Sequence, residues 1–162
     1  MKSGHEVNRP TQRKTKTPRP LSDTIRRRME RARQRDTSIE VALGRELRVL
    51  GLSFESNVVP VAGIRSRPDV LFPTSRIAVF VNGCFWHGCP AHGTWPKHNA
   101  AWWRAKIEAN RARDLKNDEM LATAGWIVLR YWEHDDPSVV AQEIAQQIQQ
   151  TERSRQSSTS RM

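Results

Sequence analysis

Between Arg76 and Trp95 the chain reads RIAVFVNGCFWHGCPAHGTW. The first part, RIAVFVNG, is almost continuously apolar and β-branched, the pattern of a central strand covered on both faces. The remainder brings two Cys, two His and two Trp together within the same twenty residues. A buried strand that runs straight into metal-ligand types and large aromatics constrains the fold more than any other segment. Whatever the cluster does, it does at the end of a strand.

The segments around it supply the other elements. Thr37-x-x-Glu40 is a capping box, followed by Ile39, Leu43, Leu47 and Leu50 at helical spacing and by Gly51 as a terminator. LSFESNVV alternates weakly and predicts a strand, AGIRSRP a turn, and DVLF a short strand. HNAAWWRAKIEANRARDLKNDEMLATAG predicts one long amphipathic helix closed by Gly125, and WIVLRYWEH a second buried strand. Asp136-Pro137 opens a final helix, and TERSRQSSTSRM forms a polar tail. The order α-β-β-β-α-β-α, without internal repeats, suggests a meander. A right-handed crossover then lays the last strand beside the central one. The expected fold is an α/β sheet with helices on both faces.

Charge divides the chain. Residues 1–36 hold 12 Lys and Arg against 4 acidic residues; the other 126 residues hold 15 against 13. The formal net charge of +10 is therefore mostly N-terminal. We read 1–21 as a basic flexible arm, 22–150 as the folded domain and 151–162 as the polar tail. LSDTIRRRMERARQRD, started by Ser22 or Asp23, predicts a basic helix at the end of the arm. Two readings of the arm stand: a solvated, solubilising tail, or a segment that neutralises phosphates on a nucleic acid. No apolar h-region follows Met1, so no signal peptide is expected, and no run is long enough to cross a bilayer. A cytosolic location follows, where disulfides are rare. Cys84 and Cys89 are then thiols or metal ligands before they are a bridge.

Cys84-x4-Cys89-x2-His92 offers three ligands for Zn²⁺, whose structural sites take four. His134, at the end of the last strand, is the natural fourth if that strand runs parallel to the central one. His98 can replace His92 or His134 in this reading. The bland alternative is two incidental thiols among scattered His. Arg67-Pro68-Asp69 stands at a strand start, and the neighbouring strand ends at Val81-Asn82. That is the layout of restriction-type nucleases of the PD-(D/E)xK class. Mg²⁺ wants hard oxygen ligands, and a carboxylate with a main-chain carbonyl suffices when substrate phosphate supplies the rest. The bland reading of Asp69 is a turn residue. The usual acidic-x-Lys is absent, replaced by VNGCFWH, which leaves His87 as the group for proton transfer. Otherwise His87 is a zinc ligand or a core histidine.

RPDVLFP, AVFVNGCFWHGCPAHGTWP, WWRAKIEANRARD and GWIVLRYWE together resemble the very short patch repair (Vsr) endonucleases, over about residues 22–135. The resemblance implies a restriction-endonuclease-like mixed sheet flanked by helices, with a structural Zn²⁺ and a catalytic Mg²⁺. It implies a bacterial, cytoplasmic, nucleoid-associated monomer that nicks double-stranded DNA 5′ of the T in a T:G mismatch. Such mismatches arise from deaminated 5-methylcytosine, so a cytosine-5 DNA methyltransferase is the functional partner. By position, Asp69 matches the Mg²⁺-binding aspartate, and Val81 the residue whose main-chain oxygen helps hold that metal. His87 matches the histidine that activates water, and Glu40 an acidic residue that positions waters around the metal. Phe85, Trp86 and Trp103 match aromatics wedged into the DNA stack, and Cys84, Cys89, His92 and His134 match the zinc set.

Two positions depart from the family. Asn82 stands where His or Asp is usual, and an amide is neither a base nor a strong metal ligand. His134 stands where Cys is common, a change that keeps a plausible zinc geometry. Core packing is the competing account of the aromatics, although six Trp in 162 residues would overfill a small core. A Mg²⁺-dependent nuclease of the same fold with other specificity, and a non-catalytic zinc DNA-binding module, are the alternative functions.

Overall fold

The computed structural model describes residues 38–159. Thr37 of the capping box, the basic arm and the basic helix expected after it lie outside the described residues.

Helix α1, Ser38–Val49, buries Leu43 and Leu47. It ends as the sequence predicts. Gly51 takes φ 73° and donates its N–H to the Arg48 carbonyl, while Leu52 N–H reaches Leu47. Helix α2, Ala100–Thr123, ends in the same Schellman arrangement around Gly125, φ 81°. Helix α3, Pro137–Thr159, starts behind Asp136, whose carboxylate accepts both the N–H and the hydroxyl of Ser138. It runs through most of the expected polar tail. Near its end, the Arg155 guanidinium donates to the carbonyls of Thr74 and Ser75.

Strands β1 (Val70–Phe72), β2 (Ile77–Asn82) and β3 (Ile127–Trp132) form a three-stranded mixed sheet in the order β1-β2-β3. β1 and β2 are antiparallel; β2 and β3 are parallel, with Phe80 opposite Arg130 and Asn82 opposite Trp132. The strand expected over LSFESNVV shrinks to a single bridge, Glu55 to Leu71. Its extended run is broken at Asn57, φ 60°, whose carbonyl accepts from Arg67.

The sheet is covered on both faces, as expected. Leu43 and Leu47 of α1 and Val140, Ala141, Ile144 and Ile148 of α3 pack on Val70, Phe72, Ile77 and Val79. On the opposite face, Leu121 of α2 and Ile64 pack on Leu71, Ala78 and Phe80. Side chains alternate along a strand, so Asp69, Phe80, Asn82 and Arg130 fall on the α2 face. Among the described residues no helix is long and apolar enough to cross a membrane.

Candidate active site and metal centre

The site lies where β2 ends. The Asp69 carboxylate accepts the Val81 N–H at 2.7 Å, and the Asp69 N–H donates to the Val79 carbonyl at 3.0 Å. An extended residue directs its N–H and C=O to the same side, so the Val81 carbonyl also faces this edge. Burial pushes the Asp69 carboxyl up to about 6; the negative charge of Glu40 adds to this, and the Val81 N–H and the Arg130 charge oppose it. Glu40 on α1 thus lies within electrostatic reach of Asp69. The Asp69 carboxylate and the Val81 carbonyl meet at this strand end with the Glu40 charge nearby, and hard oxygens of this kind suit a small divalent cation.

His87 is held from α2. Its Nδ1 lies 2.7 Å from Asp114 Oδ2, and both side chains are largely shielded, at 20% and 15% exposure. Burial raises the Asp114 carboxyl, but the hydrogen bond and charge of His87, with Arg130 and Arg113, outweigh it and hold Asp114 below its usual range. An ionised Asp114 on Nδ1 leaves Nε2 as the nitrogen free to accept a proton.

Arg130 makes a second link to α2. Its Nε and Nη2 each donate to Asp118 at 2.7 Å, its Nη1 donates to Asn82 Oδ1 at 2.9 Å, and its guanidinium lies 4.5 Å over the Phe80 ring. Asn110, buried on the same helix, donates from Nδ2 to the Trp86 carbonyl at 3.0 Å. Sequence reading missed Asn110, Asp114, Asp118 and Arg130. The signal was present: Trp103, Ile107, Asn110, Asp114, Asp118 and Leu121 share one helical stripe, and half of it is polar. Polar residues on a stripe that must face inward call for partners.

The loop after β2 carries the aromatics. Phe85 and Trp86 are half-buried, with ring centroids 5.1 Å apart. Trp103 lies behind them at 7% exposure, 5.2 Å from Phe85 and 6.0 Å from Trp86. Trp102 packs edge-on against Trp103 at 4.8 Å.

Cys84, Cys89, His92 and His134 converge, with all four ligand atoms within 4.8 Å of one another. His98 stands outside this set. Cys84 Sγ is 3.0 Å and Cys89 Sγ 3.9 Å from His134 Nδ1. Tetrahedral zinc with bonds of about 2.3 Å to sulfur and about 2.0 Å to nitrogen spaces its ligand atoms by roughly 3.3–3.8 Å, so the donors fit. The supporting contacts also fit. Glu133 accepts the Cys84 N–H at 2.7 Å, and Asp135 stands 3.5 Å from His134 Nε2, leaving Nδ1 toward the thiols. Burial, then Cys89 and Glu133, push the Cys84 thiol up to about 12. Burial raises Cys89 too, but the N–H groups of His92 and Ala91 outweigh it and hold this thiol below its usual range. One thiol ionises readily here, and a cation would draw off the second proton.

Residues 22–92 match the protein family described as "DNA mismatch endonuclease Vsr". The chain is 38% identical over 121 residues to the type II nicking enzyme V.NaeI of Lentzea aerocolonigenes, covering 74% of this chain and 73% of that protein. It belongs to the Vsr endonuclease family. It is also 40% identical to the type II nicking enzyme V.XorIIP of Xanthomonas oryzae pv. oryzae, over 65% of this chain and 76% of the relative. Against the DNA mismatch endonuclease Vsr of Escherichia coli the identity is 37%, over 61% and 62% of the two chains. The protein is a DNA endonuclease, and its Cys/His cluster can hold a metal. Membership in an endonuclease family sets aside the non-catalytic module.

Proposed function

We infer that this Vsr-family enzyme nicks one DNA strand 5′ of the T in a T:G mismatch left by deamination of 5-methylcytosine. The observation that carries this reading is the half-buried Phe85–Trp86 pair, mounted on the same short loop as His87 and most of the Cys/His cluster, directly after the strand end that holds Asp69. Wedging aromatics into a base step costs a few kcal/mol of stacking, and less at a weakened mismatch. Trp103 backs the wedge, and a Zn²⁺-filled cluster keeps the loop rigid enough for that difference to matter.

Asp69, Glu40 and the Val81 carbonyl fit Mg²⁺, which when bound supplies charge stabilisation at the cleaved phosphate. His87, with Asp114 on its Nδ1, takes a proton from the attacking water at Nε2. The sheet end, with Asp69 beside the Val81 carbonyl of the neighbouring strand, supports the restriction-endonuclease-like assignment. The substrate implies a cytosine-5 methyltransferase acting in the same cell, and the enzyme works as a monomer.

The test is incubation with Mg²⁺ and duplexes carrying one T:G pair in varied contexts, with products resolved strand by strand. Cutting only 5′ of the mismatched T is expected; equal cutting of fully paired duplexes would favour a nuclease of other specificity.

A further inference from the structure

Resting on that endonuclease reading, we propose that Asn82 donates a hydrogen bond from its side-chain NH2 to a non-bridging oxygen of the target phosphodiester, in an orientation fixed by Arg130 and Asp118. Asn82 is the last residue of β2. The preceding residue, Val81, holds Asp69, and the loop that carries His87 begins immediately after it. Along the chain it therefore links the residue that holds Asp69 to the loop that carries His87. A guanidinium only donates, so the atom 2.9 Å from Arg130 Nη1 is the amide oxygen. The NH2 is turned the other way, and it has no partner among the described residues. Asn82 is half-buried, and no buried side-chain nitrogen or oxygen among the described residues lacks a partner, so its unpartnered NH2 is open to solvent.

At a phosphodiester a side chain can ligate a metal, move a proton or donate a hydrogen bond. An amide does not move protons at neutral pH, and the Asn82 oxygen, already held by the Arg130 cation, is a poor place for a second cation. Donation is the role left. An amide oxygen that accepts from a cation also makes its own N–H groups stronger donors. The phosphate oxygens are anionic, and charge on them redistributes during cleavage, so a donor placed in advance acts where it is most effective.

Arg130 is a positioning residue in this arrangement. Its fork is held by both oxygens of Asp118 and its plane by Phe80, which leaves Nη1 a single direction. Because Asp118 balances its charge, the network delivers an oriented neutral dipole more than a net positive charge. The family's His or Asp at this place is thus replaced by an element of different chemistry, supplied from the neighbouring strand.

The experiment compares full-length wild type, Asn82→Ala, Arg130→Met and the double variant at saturating DNA with Mg²⁺. Substrates carry an all-oxygen scissile phosphate or one of its two phosphorothioate diastereomers. Asn82→Ala should turn over about ten- to hundredfold more slowly, with DNA affinity unchanged. One diastereomer should slow the wild type but add little to the defect of Asn82→Ala; the other should slow both alike. Arg130→Met should show the same diastereomer pattern, and the double variant should be little worse than Arg130→Met alone. Asn82→Gln keeps the amide but displaces it by a methylene; it should melt like wild type and still turn over slowly, which separates donation from folding. Turnover of Asn82→Ala within about twofold of wild type, or equal slowing of variant and wild type by both diastereomers, would overturn the assignment. Wild-type cutting of paired plasmid but not of T:G duplexes would overturn only the mismatch reading, and the same variants are then compared on the paired substrate.

Discussion

The role proposed for Asp69 sets function against stability in a single carboxyl. Asp69 is pushed up to about 6 by burial and by Glu40, so the folded protein holds this proton more tightly than an unfolded chain does. The group favours the folded state at low pH, and the benefit is lost as pH rises through about 6. At pH 7.5 without added Mg²⁺, Asp69→Asn should stabilise the protein by roughly 1–3 kcal/mol, while abolishing nicking and keeping DNA binding. A calorimetric scan and a nicking assay on one preparation test both halves; a less stable or still active variant refutes the assignment. His87 gives a second test. Asp114→Asn can present an amide N–H to Nδ1, which favours the tautomer with its proton on Nε2. Turnover should fall by about 10²–10⁴ with little change in melting temperature. A loss under about threefold would remove Asp114 from the machinery. The convergence of Cys84, Cys89, His92 and His134 was legible because three of them form a short local pattern and the parallel pairing of β2 and β3 adds the fourth. Asp114 and Arg130 were not, since their meaning depends on which strand and helix lie beside them.

The loop between β2 and α2 behaves as an element of its own. It has no regular hydrogen-bond ladder, so its shape rests on the Cys/His cluster, on Glu133 and on Asn110. Metal analysis should find about one Zn²⁺ per chain, and a strong chelator should lower both melting temperature and activity. A metal-free preparation that stays folded and fully active would remove the structural zinc. The aromatics mounted on this loop make a separate claim. Trp86→Ala should reduce the T:G-to-matched nicking ratio about ten- to hundredfold, since base stacking on an aromatic contributes about 1–3 kcal/mol. A lower melting temperature with an unchanged ratio would mean that Trp86 only packs. Both glycine helix ends and all three strands of the sheet were legible from the sequence. The strand at LSFESNVV was not reliable, because weak alternation cannot compete with a left-handed turn at Asn57. The polar stretch after Gln150 resembled a tail because nothing apolar drives it, yet it continues α3, and Arg155 docks on the β1–β2 turn.

At the scale of the whole molecule, the sheet order was legible because a helix between two buried strands requires a crossover. Which polar residues that crossover brings together was not. Charge is also a property of the whole. Residues 1–21 hold 6 of the 12 basic side chains of the first 36 residues. Their deletion should weaken DNA binding at low salt and flatten, without abolishing, the dependence of affinity on salt. An unchanged slope would make the arm merely solubilising. The metal cluster has a consequence of another kind. Cys84 and His134 are 50 residues apart, and α2 and β3 lie between them. Once filled, the cluster therefore closes the polypeptide into a ring, much as a cross-link would. Ring closure removes conformations from the unfolded ensemble, about 4 kcal/mol in chain-entropy terms for a loop of this size. It also means that a protease cut between Gly93 and Asn99 would open the ring without separating the two pieces, which the metal would still join.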